Sequence, residues 1–241
     1  MSGMPKLRSP LILALVAAAG VAPSLGAQVS APAPPRSPAT RAASPKLDRF
    51  ESEIRQFEAS DSASRPAAGG IVFVGSSSFR KWESLARDFA GLPVLNRGFG
   101  GSTFPEAMHY ASRIVLPYHP REIVVYEGDN DLASGRTPRQ VADDYRAFVH
   151  AMRAALPSAR IVFVSIKPSP SRWALAPAAR EANRLVQAIV ARDTLQSYVD
   201  VFTPMLGADG RPRPELFVSD SLHMTPAGYA IWRARIAPAL R

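Results

Sequence analysis

A chain of 241 residues, 46% hydrophobic and without cysteine, has room for one α/β domain plus leader segments. The missing cysteine excludes disulfides, thiolate metal sites, a Cys nucleophile and a Cys-linked lipid anchor, though not export. The formal charge of +9 falls to +5 over residues 46–241, because Lys6, Arg8, Arg36 and Arg41 precede residue 46 and no acidic residue does; the remaining charges are interspersed, which argues against nucleic-acid binding.

Residues 1–27 read as a signal peptide. Lys6 and Arg8 form a positive start, Leu11 to Ala22 an apolar run, and small residues near Gly26 and Ala27 a cleavage site. The run is short for a membrane span and Pro23 ends it, so an uncleaved N-terminal anchor is the second reading. The expectation is an exported protein, periplasmic or extracellular, with no stable membrane span after cleavage. Residues 28–45, mostly Ala, Pro and Ser, have too little apolar surface to offset their ordering entropy and read as a disordered linker.

The texture changes at residue 46. Leu47, Phe50, Ile54 and Phe57 recur at helical spacing and predict an amphipathic helix over 46–59. Strands are predicted at 71–75, 93–97, 122–127, 160–166 and 198–202, most of them continuous apolar runs of the kind buried on both faces. Helices are predicted between them at 78–88, 103–113, 138–155 and 177–193, with a last one at 225–239. Thr137-Pro138 and Thr225-Pro226 each pair a capping side chain with Pro at the first helical position. This alternation predicts a three-layer α/β/α sandwich around a five-stranded, flavodoxin-like parallel sheet, over residues 46–241. Ligands of such sheets sit outside the carboxyl ends of the strands.

Three segments at those ends, and a fourth directly before the last helix, carry chemistry. Gly75-Ser76-Ser77-Ser78 sets hydroxyls on a tight turn, and by itself is also an ordinary Ser-rich cap; it is not a G-x-S-x-G elbow, because Phe79 stands where the second Gly would be. Asn96 to Thr103 (NRGFGGST) exposes backbone N–H groups suited to an oxyanion, yet has neither a P-loop Lys nor a dinucleotide fingerprint. Gly128-Asp129-Asn130-Asp131 places an amide donor at the same edge, although Asn and Asp are also common turn residues. Asp220-Ser221-Leu222-His223 lets a carboxylate fix one ring nitrogen while the other serves as base. His109 and His150 fall inside predicted helices, and His119 has no evident carboxylate partner.

These four blocks, in this order, resemble the SGNH hydrolases, also called the GDSL esterase/lipase superfamily, and within it a GSSS-bearing subgroup. The resemblance covers most of residues 46–241. It implies a serine ester hydrolase with Ser77 as nucleophile and Asp220 and His223 completing the triad. The implied oxyanion hole is built from Ser77, Gly101 and Asn130, and neither metal nor cofactor is implied. Ser76 replaces the Asp of the family's usual Gly-Asp-Ser block. The expected partner is a small-molecule ester, a short acyl or acylated carbohydrate compound. A lysophospholipase or thioesterase, and a non-catalytic envelope-binding domain on the same fold, are the alternatives. Arg172 and Trp173, in the stiff loop after the fourth strand, are candidates to touch an anionic group or a sugar ring; a Trp packed on the domain is an equal reading.

Overall fold

The computed structural model describes residues 47–241; the expected signal peptide and linker lie outside the described residues. A 3₁₀ turn, Leu47–Phe50, leads into α1 (Glu51–Ala63). There follow β1 (Ile71–Gly75), α2 (Ser77–Arg80), α3 (Leu85–Asp88), β2 (Val94–Gly98), α4 (Phe104–Ile114) and β3 (Glu122–Tyr126). The remainder runs α5 (Asp129–Ala133), α6 (Pro138–Ala155), β4 (Arg160–Val164), α7 (Ala176–Val190), β5 (Gln196–Val199) and α8 (Pro226–Ile236).

The five strands are all parallel in the order β2-β1-β3-β4-β5, the flavodoxin-like arrangement. Side-chain alternation divides the apolar residues into two cores. Val72, Val74, Ile123, Val125, Ile161 and Phe163 face the layer of α1, α4, α6 and α7. Ile71, Phe73, Val124, Tyr126, Val162 and Val164 face the opposite layer of α2, α3 and α8, where Trp82 and Trp232 are fully buried. Both faces are covered, which is why the strands read as unbroken apolar runs.

The chain leaves β1 toward β2 on one side and returns to β3 on the other. The strand order therefore reverses between β1 and β3, and a crevice opens beyond their carboxyl ends. Gly75 ends β1 at a crowded point: a Cβ there would lie 2.2 Å from the Tyr126 carbonyl oxygen on β3, so only glycine lets the two strand ends close up.

Three elements depart from the sequence expectation. The single helix expected at 78–88 is two short ones. Phe79, Trp82, Leu85 and Phe89 all reach the core, but the hydrogen-bond ladder tightens where the Trp82 N–H meets the Phe79 carbonyl, and α2 stops. Asp88 then takes hydrogen bonds from the Trp82 indole and the Ser84 hydroxyl and fixes the second piece. The last strand is Gln196–Val199, not 198–202, because Ser165 Oγ accepts the Val201 and Phe202 amides and removes them from the ladder. The five-residue α5 sits where the sequence suggested only a turn. Thr103 and Thr137 both form capping boxes at the starts of α4 and α6.

Candidate active site

β1 delivers Ser77 to the crevice. The turn is held by its main chain: the Ser76 N–H donates to the Tyr126 carbonyl at 3.2 Å, and the Ser76 carbonyl accepts from Phe79 and Arg80 at 2.9 and 3.2 Å. The turn is thus closed by backbone bonds at the position where the resembled family has Asp. α2 has only four residues, so its dipole is small and the useful donor there is the Ser77 N–H itself.

The segment before α8 brings His223 to the same point. His223 Nε2 lies 2.9 Å from Ser77 Oγ, across 146 residues of sequence. His223 Nδ1 lies 2.6 Å from Asp220 Oδ2. A carboxylate only accepts, so Nδ1 carries the proton and Nε2 is left to accept from the serine hydroxyl. Asp220 Oδ1 also accepts the Leu222 and His223 amides at 2.9 and 2.8 Å. Partial burial opposes ionisation of Asp220, but the bonds from the His223 ring and these two amides outweigh it and hold the carboxyl well below its usual range. The tight turn forces Ser221 into the left-handed region at φ +56, an uncommon conformation for a residue with a side chain. Ser171, from the loop after β4, braces that turn by donating its N–H and its hydroxyl to the Ser221 carbonyl at 3.1 and 3.0 Å.

The donors expected of an oxyanion hole stand together. A Cβ at Gly101 would lie 3.7 Å from Asn130 Nδ2, so the two residues are neighbours. Asn130 Nδ2 uses one hydrogen on the Ser102 carbonyl at 2.9 Å and keeps the other. Among the described residues, the Ser77 and Gly101 N–H groups have no hydrogen-bond acceptor. Gly128 opens α5 at φ +106, a turn that favours glycine.

Behind these donors lies a buried ionic cluster. Asp129 pairs with Lys167 Nζ and with Arg172 Nη1, both at 2.7 Å. Burial alone would raise the Asp129 pKa, but the two cations bring it down to about 2. Arg172 Nη1 also donates to Asn130 Oδ1 at 3.0 Å. Arg172 is therefore turned toward Asp129 and Asn130, and Trp173 is half-buried against the first core with the Arg211 guanidinium 6.0 Å above its ring.

The sequence reading missed Ser171, Arg49 and Glu53. Arg49 and Glu53 lie on the segment from Leu47 to Ala63, where a charged residue between apolar positions signals only a solvated helix face. His109 faces Asp48 at 3.5 Å, and His119 adopts φ 42 after a 3₁₀ turn; neither enters the crevice. No group of three or more His, Asp or Glu side chains among the described residues is arranged to hold a metal ion.

An arrangement of this kind can deprotonate a serine hydroxyl and hold an oxyanion beside it. No curated protein matches the sequence. A GDSL-like lipase from Bacteroides thetaiotaomicron superposes with TM-score 0.65 at 20% identity, over 77% of this chain and 96% of that one. A Streptococcus pneumonia protein provisionally described as a platelet activating factor gives 0.70 at 18% identity, over 81% and 94%. A variant of an acetyl-xylooligosaccharide esterase from Geobacillus Stearmophilus gives 0.57 at 14% identity, over 72% and 94%. At these identities the likeness is one of fold. Residues 66–231 match the model of the GDSL-like lipase/acylhydrolase family, and the chain belongs to that family of ester hydrolases.

Proposed function

We propose that the protein is a serine esterase that hydrolyses short acyl esters, including acyl groups on carbohydrate, through Ser77, His223 and Asp220. The observation that carries the reading is the continuous relay from Asp220 Oδ2 through the His223 ring to Ser77 Oγ, with contacts of 2.6 and 2.9 Å, facing unused N–H donors. His223 takes the Ser77 proton as Oγ attacks the ester carbonyl. The oxyanion that forms is held by the N–H groups of Ser77 and Gly101 and by Asn130 Nδ2. The alcohol leaves with the proton from His223, giving an acyl-Ser77 ester. Water then attacks that ester with His223 again as base, and the acid is released.

Two features favour a small acyl group over a long chain. Val218 is the one large hydrophobic side chain exposed among the described residues, at 39%, so no broad apolar surface is present to receive a lipid tail. A structural neighbour is an acetyl-xylooligosaccharide esterase. We further propose that the chain acts outside the cytoplasm, on the strength of the Lys6/Arg8 start and the Leu11–Ala22 apolar run. No helix among the described residues is long and apolar enough to cross a membrane.

The test is covalent labelling with a fluorophosphonate, mapped by mass spectrometry, beside hydrolysis of nitrophenyl esters of increasing chain length. Label on Ser77, loss of hydrolysis in Ser77→Ala and fastest turnover of acetyl to butyryl esters are expected. Label on another serine would remove Ser77 from the mechanism. Preference for long acyl chains would replace the short-acyl reading by a lysophospholipase or thioesterase one.

A further inference from the structure

The backbone donor at Gly101 lies in a stretch that glycine makes pliable. Gly98, Gly100 and Gly101 occur within four residues, and Gly100 adopts φ +35. An oxyanion donor is effective only when it already points where charge develops. Glycine by itself does not provide that, because it populates more backbone conformations than any other residue. Something else must hold this peptide.

The peptide units on either side of the Gly101 N–H are both held by the first described segment of the chain. On one side, the Gly100 N–H donates to Glu53 Oε2 at 3.0 Å. On the other, the Gly101 carbonyl accepts from Arg49 Nη2 at 2.9 Å. Arg49 is anchored in turn on Glu106 Oε2 at 2.9 Å, and Glu106 is fully buried at the start of α4, where it accepts the Thr103 N–H and hydroxyl. Phe50, between the two, covers the loop: a Cβ on Gly100 would lie 1.9 Å from Phe50 Cε1. Glu53 Oε2 has a second donor, Arg80 Nη1 at 2.9 Å, on the short helix that begins with Ser77. One carboxylate oxygen thus joins the nucleophile's helix to the oxyanion loop.

We propose that Arg49 and Glu53 are positioning residues for catalysis: they hold the Gly101 N–H at its working distance from Ser77. Both lie before residues 66–231, the part that matches the family model. The proposal rests on the oxyanion-hole reading above. Packing does not explain these two side chains. Ile54 carries the burial of α1, whereas the Glu53 side chain is 27% exposed and its pair with Arg80 contributes little to stability; Arg49, 46% exposed, also neutralises the fully buried Glu106, so the kinetics of Arg49→Met are read beside its thermal unfolding.

The experiment uses the full chain with the variants Glu53→Ala, Glu53→Gln, Arg49→Met and, as a control, Arg55→Ala. Nitrophenyl-ester kinetics, inhibition by a boronic acid that mimics the tetrahedral adduct, and thermal unfolding are measured on each. Misplacing a reacting or stabilising group by about 1 Å costs about 10²-fold. Glu53→Ala and Arg49→Met are expected to lower kcat about 10-fold to 10²-fold with KM within about twofold, and boronate affinity is expected to fall in parallel. Glu53→Gln is expected to keep most of kcat, because its amide oxygen still accepts the Gly100 N–H. Arg55→Ala removes only an exposed pair with Glu51 on the outer face of α1 and is expected to stay near wild type. Wild-type kcat in Glu53→Ala and Arg49→Met, with Ser77→Ala inactive, would overturn the proposal and leave the function standing. So would a loss in Glu53→Gln equal to that in Glu53→Ala. If Glu53→Ala does not fold, Arg49→Met decides by the same criteria. Full activity in Ser77→Ala would remove the functional reading itself, and this proposal with it.

Discussion

The Arg172 guanidinium donates to the Asn130 side-chain carbonyl at 3.0 Å, and this contact settles which end of the amide faces the crevice. The two ends of a carboxamide are nearly the same size, so shape alone does not distinguish them. With Oδ1 on Arg172 and one Nδ2 hydrogen on the Ser102 carbonyl at 2.9 Å, the remaining N–H is left for an oxyanion. Arg172 is itself fixed by Asp129 at 2.7 Å.

Arg172→Met should therefore lower kcat by about 10-fold. That is less than the roughly 10²- to 10³-fold loss expected for Asn130→Ala, which deletes the donor. The Ser102 contact still restrains the amide in the arginine variant, hence the smaller effect. Comparing kcat and KM for neutral and anionic esters checks this. A KM change confined to anionic esters would instead mark Arg172 as a substrate contact.

Asp129 and Lys167 should respond unequally to substitution. Removing one partner of a buried ion pair typically costs about 3–5 kcal/mol, because the other charge is stranded. In Lys167→Met, Asp129 keeps Arg172 at 2.7 Å. In Asp129→Asn, Lys167, only 1% exposed, keeps only the Tyr126 hydroxyl at 3.4 Å and a neutral amide. Asp129→Asn is expected to be the more destabilising of the two in urea unfolding.

Asp220→Asn should reduce kcat by about 10³- to 10⁴-fold while leaving the fold intact. An amide placed against Nδ1 no longer enforces the tautomer that leaves Nε2 free, nor does it stabilise the imidazolium. The side chain is 43% exposed, so thermal stability should change little. Combining Asp220→Asn with Ser77→Ala should add almost nothing to Ser77→Ala alone, since in the proposed mechanism the three residues act as one unit.

The fold was legible because its strands are buried on both faces and its helices carry their own start signals. Thr137-Pro138 predicts a helix over 138–155, and α6 has those limits. The Ser, Gly and Asn blocks were legible as strand-end motifs and the Asp/His block as a segment before the last helix, and the contact between Ser77 and His223 joins two of them over 146 residues. The supporting contacts were not legible. Ser171, Arg49 and Glu53 make hydrogen bonds to backbone atoms 47 to 52 positions away, and no local pattern records such a partner; Arg172 was legible as a candidate in the loop, but its contact with Asn130, 42 positions away, was not. The break after Arg80 was hidden for a different reason: Phe79, Trp82, Leu85 and Phe89 keep helical spacing even though the chain between them is not one helix.

Glu127 should make stability fall as pH rises. It is fully buried behind the oxyanion loop, with the Ser102 hydroxyl on Oε1 at 2.6 Å and no partner for Oε2 among the described residues. Burial, and then the nearby acid Asp131, push its pKa well above the usual value; the Ser102 bond opposes this, and Glu106 and Asp129 add to it. The folded state therefore keeps a proton that the unfolded chain releases above about pH 4.3. Over that window the folded state binds one proton more, so unfolding free energy declines by about 1.4 kcal/mol per pH unit until Glu127 ionises in the folded protein. Asp131, raised chiefly by burial, titrates together with Glu127, and the pair's decline has the same sign. Glu127→Gln copies the neutral acid and still accepts the Ser102 hydroxyl. Urea unfolding at pH 5, 6.5 and 8 should show the variant gaining on wild type at each step, with the larger part of wild-type activity retained. A constant difference across the series would mean that Glu127 is already ionised in the fold.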